Sequence, residues 1–342
     1  MKAARFHTPG DSSVIRYEDV DDPSPARGEI LVRVGACGVN RIDVWLRSGR
    51  YQTHLPHILG TDVAGEVAEV SSDVKNFQIG DRVLLDPVLS DGNCVYCLNG
   101  HPNQCLNVGL IGAAIDGGYA EYVKIRASNA INLADDLDFE TGAAIPVNFA
   151  TAWAGLVTKA HVGNKHTVFV WGAGSGVGTA AIQISKMFGA TVIATASSDE
   201  KLAMARKLGA DSVVNHRKEN VAEHVRKLSG GLGASVVLDH VGETTWPISV
   251  DCLSKGGILL TLGATTGVNA KMDVGKIYRN EIKVFGVYGF TREDLMQVLE
   301  KVRESKLRPV IYKKMPLSSA SEAHRILESG GNFGKILLLP PK

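Results

Sequence analysis

One glycine-rich stretch near the middle of the chain restricts the fold more than any other segment: V-F-V-W-G-A-G-S-G-V-G-T at 168–179. Its apolar start at 168–171 is typical of a buried strand, and a helical pattern runs from Thr179 to Gly189. The glycines let the backbone approach a diphosphate closely, and a helix N-terminus presents N–H groups and the positive end of its dipole to that group. Strand, turn and helix together predict a dinucleotide-binding fingerprint, although a plain tight turn has a similar composition.

The residues that we expect to bind the dinucleotide lie in this turn and at the ends of neighbouring strands. Segments 239–242 and 263–265 end two predicted strands at the edge where a doubly wound sheet binds its ligand. We expect Thr151 to anchor the nicotinamide carboxamide; alternatively its hydroxyl bonds to its own helix backbone. The predicted set is Thr151, Gly172, Gly174, Ser175, Gly176, Val177, Gly178, Ser197, Ser198, Lys201, Val241, Gly263 and Ala264.

The second strand of the dinucleotide-binding part is predicted at 191–195, and the residues at its end favour NADPH over NADH. NAD enzymes of this fold place an Asp or Glu there to accept from the ribose 2′-OH, and the matching position is Ala196. Ser197, Ser198 and Lys201 would supply hydroxyls and a cation to a 2′-phosphate. Two alternatives stay open: Ser197 is only a helix cap, and Asp199 still meets the ribose of NAD.

Length and charge exclude several classes of protein. A chain of 342 residues is long enough for two domains. A net charge of +1 argues against a nucleic-acid binder, and no apolar run is long enough to span a membrane. The start at 1–5 lacks the apolar core of a signal peptide. We therefore expect a cytoplasmic protein with a small-molecule substrate and neither a nucleic-acid nor a membrane partner.

The two parts of the chain differ in their patterns. Residues 1 to about 125 read as short strands separated by turns, whereas from about residue 140 strands and helical patterns alternate. Such alternation predicts a parallel, doubly wound sheet. The last apolar run, 333–339, is a strand that can rejoin the first part.

A cysteine-containing segment, D-G-N-C-V-Y-C-L-N-G-H-P-N-Q-C at 91–105, predicts a structural metal site. Cys94 and Cys97 have the spacing that lets two thiolates reach one ion from a tight turn, and Cys105 lies one loop further on. Structural zinc takes four ligands in a closed tetrahedron, so a fourth is needed. Asp91 is the natural fourth ligand and His101 its rival; the alternative is three free thiols. A closed site of this kind has no position for substrate.

Several other segments add a resemblance to a known family. They are G-A-C-G-V-N-R-I-D at 35–43, L-G-T-D-V-A-G-E-V at 59–67, G-D-R-V at 80–83, A-A-I-P-V-N-F-A-T-A-W at 143–153 and F-G-K-I-L at 333–337. Together with the cysteine segment and the glycine-rich turn, they resemble the medium-chain dehydrogenase/reductase superfamily over essentially the full length of the chain.

This resemblance implies an α/β fold in which a GroES-like, mostly-β catalytic domain is split around a doubly wound, parallel-sheet Rossmann domain. On this chain we expect the catalytic domain at 1–148, with a metal lobe at 91–105. The nucleotide-binding domain is expected at 149–288, and a C-terminal return to the catalytic domain at 289–342. The resemblance also implies a homodimer or homotetramer formed through the Rossmann domains.

The chain departs from the zinc-type alcohol dehydrogenases of this superfamily at all three catalytic ligands. They carry Cys where this chain has Asn40, and His-Glu where it has Thr61 and Asp62. The third ligand falls in segment 147–150, which here has none, and Cys37 is expected to pack as a small apolar residue. Without that zinc, no Lewis acid is evident for an alkoxide.

Segments G-V-N-R-I-D at 38–43 and R-S-G-R-Y at 47–51 instead resemble the zinc-free quinone oxidoreductase and enoyl reductase branch.

We therefore expect an NADPH-dependent reductase of an activated C=C bond or quinone, with an enone, quinone or enoyl thioester as substrate. Asn40 is expected to face the nicotinamide, Tyr51 to donate a proton, and Asp43 to hold Arg41 or Tyr51. Each has a simpler alternative: Tyr51 is a packed loop residue, Asp43 a surface carboxylate, and His240 a structural donor rather than a catalytic one. Two other functions stay open: an alcohol or aldehyde dehydrogenase, and a non-catalytic NADPH-binding sensor.

Overall fold

The computed structural model describes residues 1–341 and divides them into two compact units. Unit 1 comprises Met1–Val147 and the chain from Pro309 onward, and unit 2 comprises Asn148–Arg308. Within residues 1–341, no helix is both long and apolar enough to cross a membrane.

Unit 1 is built mainly from strands. In chain order they are β1 (Lys2–Phe6), β2 (Ile15–Asp19), β3 (Glu29–Val39), β4 (His57–Ile58), β5 (Asp62–Val70), β6 (Arg82–Leu85), β7 (Val88–Leu89), β8 (Gly109–Leu110), β9 (Tyr122–Arg126), β10 (Ala130–Asn132), β17 (Ile311–Pro316) and β18 (Lys335–Leu339). Its helices are α1 (Arg41–Arg47), α2 (Val95–Leu98), α3 (Phe139–Ala143) and α11 (Ala320–Ser329).

The main sheet of unit 1 has the order β10-β6-β5-β3-β18-β17, with β9 also paired to β3. Ile30, Val32 and Val34 alternate along β3 into the hydrophobic core, whereas Arg33 between them is exposed. The last strand, β18, pairs antiparallel with β3, so the C-terminal run does return to this sheet.

Unit 2 alternates strands and helices. Its strands are β11 (Thr167–Val170), β12 (Thr191–Ala196), β13 (Ser212–Asn215), β14 (Ala234–Asp239), β15 (Leu253–Thr261) and β16 (Lys283–Gly286). Its helices are α4 (Thr151–Trp153), α5 (Gly176–Met187), α6 (Asp199–Lys207), α7 (Val221–Leu228), α8 (Trp246–Cys252), α9 (Val274–Asn280) and α10 (Arg292–Arg303). All neighbouring strands are parallel in the order β13-β12-β11-β14-β15-β16, which is the doubly wound Rossmann order. The predicted fold class is confirmed.

Two boundaries differ from the expectation. The chain returns to unit 1 at Pro309, not at residue 289, because α10 belongs to unit 2. Asp294 in its first turn accepts the hydroxyl of Thr158 at 2.5 Å, and Leu295 and Val298 on the same helix are fully buried. The first break lies between 147 and 148, one residue before the expected one.

The segment 139–159 is not one continuous helix. After α3, the chain forms π-helical turns at Pro146–Ala150 and Ala154–Lys159, on either side of α4. Pro146 has no N–H to continue the ladder of α3, which accounts for the first interruption.

Candidate active site

Three neighbouring strands of unit 1 bring together the ends at which Asn40, Asp62 and Lys335 lie. Asn40 directly follows β3, Asp62 begins β5 and Lys335 begins β18. Both β5 and β18 run antiparallel to β3, with Gly38 opposite Asp62 and Val39 opposite Ile336. The end of one strand therefore meets the beginnings of its two neighbours.

These three side chains form a buried polar cluster. The Lys335 ammonium lies 2.6 Å from Asn40 Oδ1 and 2.5 Å from Asp62 Oδ2, although the residue is only 3% exposed. Asn40 Nδ2 donates to Asp62 Oδ2 at 2.8 Å, and the backbone N–H of Val147 donates to Asp62 Oδ1 at 2.9 Å. The buried cation is therefore paired and hydrogen-bonded, as burial of a charge requires.

Gly38 makes room for the Lys335 side chain. A Cβ at position 38 would lie 2.4 Å from Lys335 Cε and 2.6 Å from the carbonyl oxygen of Ala143. Any other residue would therefore displace the lysine or the backbone of α3.

The cluster does not provide the ligands of a catalytic zinc. The atoms that could bind a metal here are one carboxylate oxygen and one amide oxygen, and both already accept hydrogen bonds from the Lys335 ammonium group. Among residues 1–341, Asp62 is in neither of the two clusters in which three or more His, Cys, Asp or Glu side chains lie close enough to share a metal ion. Thr61 Oγ1 is buried without a hydrogen-bond partner, which indicates a place for a further polar group.

A chain of hydrogen bonds joins this cluster to a second group of buried residues. Asp43 Oδ2 accepts the backbone N–H of Asn40 at 2.7 Å and the Tyr119 hydroxyl at 3.2 Å. His324 Nε2 lies 3.1 Å from that hydroxyl, and His324 Nδ1 lies 3.4 Å from Arg47 Nη1. Burial raises the pKa of Asp43 to about 7, and burial followed by the charge of Arg47 lowers the pKa of His324 to about 3.

The partners predicted for Asp43, Arg41 or Tyr51, are wrong. Asp43 is fully buried, so it is not a surface carboxylate, and its carboxylate holds Asn40, Gly60 and Tyr119 rather than Arg41 or Tyr51. Arg41 instead donates to the carbonyl of Leu327 at 2.9 Å.

Tyr51 lies apart from these hydrogen bonds. It is 43% exposed, its ring packs edge to face on Trp45, and the guanidinium of Arg50 lies over both rings. Its role as a proton donor remains a prediction.

Cys37 is fully buried in the core of unit 1 and packs as a small apolar residue, and burial raises the pKa of its thiol.

The glycine-rich turn of unit 2 has the expected geometry. Ser175 caps α5 by accepting the N–H of Gly178 at 2.8 Å, and Gly172 has a left-handed φ of 58°. A Cβ at Gly178 would lie 2.3 Å from the carbonyl oxygen of Gly172, and one at Gly176 would lie 2.2 Å from Asn148 Nδ2. The turn therefore requires glycine at position 178, where the added atom would meet backbone, whereas at position 176 it would displace the Asn148 side chain; Gly174 and Val177 lie in the same segment. Thr151 is buried at the start of α4.

The loop after β14 is held in place by one buried carboxylate. Asp239 accepts the backbone N–H groups of Val241 and Gly242 at 2.8 and 3.0 Å, and the hydroxyls of Thr245 and Ser249. This rigid loop lies at the carboxyl edge of the parallel sheet, where this fold binds dinucleotides.

His240 connects this loop to the glycine-rich turn. Its Nε2 lies 2.9 Å from the carbonyl of Trp171 and 3.1 Å from Ser175 Oγ. Because a carbonyl can only accept, Nε2 carries the proton, which favours the structural-donor alternative. A Cβ at Gly263 would lie 2.7 Å from the His240 carbonyl, so the loop that also contains Ala264 packs directly on it.

Positive charge gathers beyond the end of β12. Burial lowers the pKa of Lys201, against the carboxylate of Glu200 and together with the charge of Arg217. Burial is also the largest cause that lowers the pKa of His216, followed by the charges of Arg217 and Lys201. Ala196, at the strand end, is buried. The Asp199 carboxylate is occupied by Asn215 and Lys218 at 2.9 and 2.8 Å, which weakens the alternative that Asp199 binds an NAD ribose.

The cap of α6 lies one residue later than expected. Ser198, not Ser197, accepts the backbone N–H of Lys201. Ser198 has the extended backbone that an N-cap requires, so Ser197 is not the cap of this helix.

The cysteine lobe gathers four ligand atoms that fit a structural zinc. One carboxylate oxygen of Asp91 and the sulfurs of Cys94, Cys97 and Cys105 all lie within 4.8 Å of one another; His101, the rival ligand, is not in this group. Backbone N–H groups of Asn93 and Cys94 hold the pKa of the Asp91 carboxyl well below its usual range. Three thiolates and a carboxylate are a donor set typical of zinc.

Lys335 is the main residue that the sequence reasoning missed. A lysine inside the apolar run 333–339 was a signal, because a strand buried on both faces has no place for an unpaired charge. Tyr119 and His324 gave no such signal, because neither lies in a recognisable motif.

Comparisons with known proteins match both units. The model of the alcohol dehydrogenase GroES-like domain matches residues 26–135, and that of the zinc-binding dehydrogenase matches residues 176–304. An NAD-dependent alcohol dehydrogenase of Sulfolobus acidocaldarius is 33% identical, over 99% of each chain. A quinone oxidoreductase of Pongo abelii is 31% identical, over 99% of this chain and 98% of its own. A solved structure of an NAD-dependent alcohol dehydrogenase is 38% identical, with a TM-score of 0.95 over 99% of each chain.

Proposed function

This chain belongs to the medium-chain dehydrogenase/reductase superfamily, and on that premise we propose that it is an NADPH-dependent reductase of an activated C=C bond or a quinone that uses no catalytic zinc. The observation that carries the proposal is the Lys335 ammonium bound between Asn40 and Asp62, at positions where zinc enzymes of this family hold their metal. A positive charge is already built into the protein there.

The residues of unit 2 fit the dinucleotide. The turn at 172–178 would hold the diphosphate on the N-terminus of α5, and the loops after β14 and β15 would border the nicotinamide. Lys201, with Arg217 and His216 near it, would bind the 2′-phosphate. When bound, NADPH supplies the hydride that adds to the electron-poor carbon of the substrate.

The residues of unit 1 would stabilise the charge that the substrate gains. Reduction of an enone or quinone places negative charge on its oxygen until a proton is taken up, and fixed donors lower the energy of that state. Asn40 Nδ2 has two hydrogens, of which one goes to Asp62, and we assign the other to the substrate oxygen. Lys335 positions the amide of Asn40, and the Thr61 hydroxyl would bind a water or a substrate oxygen. We assign the proton to Tyr51.

A second function, oxidation of an alcohol or reduction of an aldehyde, is favoured by the names of the relatives. Two of the three similar proteins described above are called NAD-dependent alcohol dehydrogenases. On this alternative, NAD(H) would be preferred and alcohols would be turned over. The third candidate, a sensor, would bind NADPH tightly and turn over nothing.

Activity measurements distinguish the three functions. Oxidation of NADPH and of NADH is followed with 1,4-quinones, small enones and enoyl thioesters, and alcohols are tested with both oxidised cofactors. We expect turnover of one acceptor class with NADPH. Alcohol oxidation with NAD, or tight NADPH binding without turnover on any substrate, would contradict the proposal.

Two variants assign the roles. Asn40→Ala is expected to lower kcat by about 10²–10³ with little change in NADPH affinity, as loss of an oxyanion donor does. Asn164→Ala, at an exposed asparagine, is the control.

Lys201→Ala is expected to weaken NADPH binding by about 10- to 100-fold and to leave NADH binding unchanged, because a charge-assisted hydrogen bond contributes about 1.5–3 kcal/mol. Lys207→Ala, on the exposed face of the same helix, is its control.

We also propose that the lobe of Asp91, Cys94, Cys97 and Cys105 holds one structural zinc that remains bound through dialysis. Cys94→Ser is expected to lose that zinc and to unfold at a lower temperature. A dialysed wild-type protein without zinc, stable and active, would show that these thiols are free.

The protein is further proposed to be a homodimer or homotetramer assembled through unit 2. β16 is the outer strand of the parallel sheet, and its Val284 is exposed. An open edge of this kind can pair with another chain. Light scattering would test this, and a monomer at every concentration would contradict it.

A further inference from the structure

Two histidines and an aspartate of unit 1, outside the cysteine lobe, bring three ligand atoms together. His57 Nδ1 lies 3.1 Å from His54 Nε2 and 3.3 Å from Asp116 Oδ1, and His54 Nε2 lies 3.5 Å from Asp116 Oδ1. An ion with bonds of about 2.0–2.1 Å holds tetrahedral ligands about 3.3 Å apart. The three atoms are therefore spaced as ligands of one ion.

The tautomer of His57 suits this arrangement. Its ring is fully buried, and Nε2 lies 3.0 Å from the carbonyl oxygen of Gly112. A carbonyl only accepts, so Nε2 carries the hydrogen of the neutral ring, and Nδ1 presents its lone pair to His54 and Asp116. A second-ring N–H donated to a backbone carbonyl is the usual support of a metal-bound histidine.

Asp116 is oriented in the same way. Its Oδ1 accepts the backbone N–H of Ile58 at 2.9 Å, which leaves a second lone pair on that oxygen. An unprotonated nitrogen and a carboxylate oxygen 3.3 Å apart repel each other unless a positive charge lies between them.

The alternative is a proton on His54 Nε2 shared with the other two atoms. The two rings, however, meet edge to face, with centroids 4.4 Å apart and planes at 88°. A proton on His54 Nε2 satisfies only one of the other two atoms at a time, at 3.1 Å from His57 Nδ1 or 3.5 Å from Asp116 Oδ1. A metal ion would accept all three lone pairs at once.

We infer that His54, His57 and Asp116 form a second metal site, which binds a divalent transition ion with zinc as the preferred class. Two imidazoles and one carboxylate are borderline ligands that suit Zn²⁺ and its neighbours better than Mg²⁺ or Ca²⁺. The side chains of His54 and Asp116 are 52% and 54% exposed, so water can complete the coordination. Bound metal would join the segment before β4 to the loop between β8 and β9.

This site is independent of the cysteine lobe and of the proposed reaction. It has three protein ligands and open positions, whereas the lobe offers four. We therefore expect it to release zinc on dialysis and to take it up again on titration.

Zinc titration of the full-length protein tests the inference. After dialysis, wild-type protein is titrated calorimetrically with Zn²⁺ alone, and the same is done with His54→Ala, Asp116→Asn and the control His161→Asn, which changes an exposed histidine elsewhere. Wild type and control should bind one more equivalent than His54→Ala, and Asp116→Asn should bind that equivalent at least 10-fold more weakly. Equal uptake by wild type and His54→Ala would overturn the inference.

Cobalt provides a readout on unmodified protein. Co²⁺ bound by thiolates shows intense sulfur-to-metal charge transfer, whereas Co²⁺ bound by nitrogen and oxygen shows only weak d–d bands. With the cysteine lobe already filled by zinc, added Co²⁺ should produce saturable d–d bands without charge transfer. Absence of saturable bands, or bands that persist in His54→Ala, would contradict the site.

Discussion

Lys335 shows how one residue can determine the chemistry of its surroundings. An ammonium group that is 3% exposed is costly unless its donors are satisfied, and Asn40 and Asp62 satisfy them. The same contacts use the oxygen atoms that a metal would need. The Lys335 ammonium therefore occupies the oxygen atoms of this cluster that could otherwise bind a metal ion.

We predict that Lys335→Met destabilises the protein by about 3–5 kcal/mol, because it leaves the buried Asp62 carboxylate without its countercharge. Urea unfolding measures this change. Lys218→Met removes the exposed partner of Asp199 and should cost only about 0–1 kcal/mol. If the two variants lose equal stability, the buried pair contributes no more to the free energy of unfolding than the exposed pair does. Asp62→Asn added to Lys335→Met should restore part of the loss.

His324 makes stability depend on pH. Burial, with the charges of Arg47 and Arg41, lowers its pKa to about 3, against about 6.5 in the unfolded chain. Between these values the unfolded chain binds a proton that the folded chain does not. The contribution of His324 is therefore fully present above about pH 6.5 and is lost as the pH falls toward 3.

We predict that His324→Gln flattens this acid dependence, by up to about 1.4 kcal/mol per pH unit, because glutamine does not titrate. Urea unfolding of both proteins from pH 4 to 8 measures the difference. His161→Asn, at an exposed position, should follow the wild-type curve. Parallel curves for wild type and His324→Gln would show that His324 binds protons equally in the folded and the unfolded chain, which contradicts its lowered pKa.

The glycine-rich turn illustrates what a single structural element contributes. Its strand and helix form from local pattern, but its tightness depends on two close approaches of backbone and side chain at Gly178 and Gly176. An added methyl group at Gly178 meets backbone, which cannot move aside without opening the turn.

We predict that Gly178→Ala lowers NADPH affinity by at least 10-fold, because a Cβ would lie 2.3 Å from the Gly172 carbonyl oxygen. Isothermal titration calorimetry measures the affinity. Gly163→Ala, also in unit 2, has nothing within 4 Å of the added Cβ and should bind NADPH as wild type does. Unchanged affinity in Gly178→Ala would mean that the turn does not hold the diphosphate.

At the level of the whole chain, the C-terminal segment completes the first unit. β18 pairs with β3 and carries Lys335, and α11 carries His324. Both buried polar groups of unit 1 therefore depend on residues that follow the whole of unit 2.

We predict that a chain ending at Arg308 loses the folded structure of unit 1 and retains the parallel sheet of unit 2. Without β18, the polar edge of β3 and the buried Asp62 lose their partners. Hydrogen exchange followed by mass spectrometry should show loss of protection in β3 and β5 but not in β11 and β14. A chain ending at Leu339 should match wild type. Retained protection in β3 of the shorter chain would contradict this account.

The sequence alone determined features that depend on neighbouring residues: the strand–turn–helix at 168–187, the absence of a carboxylate at Ala196 and the cysteine spacing at 91–105. It also carried the family and the fold class, because the motifs span the chain. These succeed because tight turns, caps and short ligand loops are made by residues a few positions apart.

Only the tertiary structure decided which distant side chains meet. Lys335 reaches Asn40 across 295 positions and Asp62 across 273, because the sheet places β5, β3 and β18 side by side. The partners of Asp43 and the cluster of His54, His57 and Asp116 arise in the same way, from separate loops. An alternating pattern predicts that a strand has a buried face, but it does not specify the strand's neighbours, and those neighbours determine the contacts.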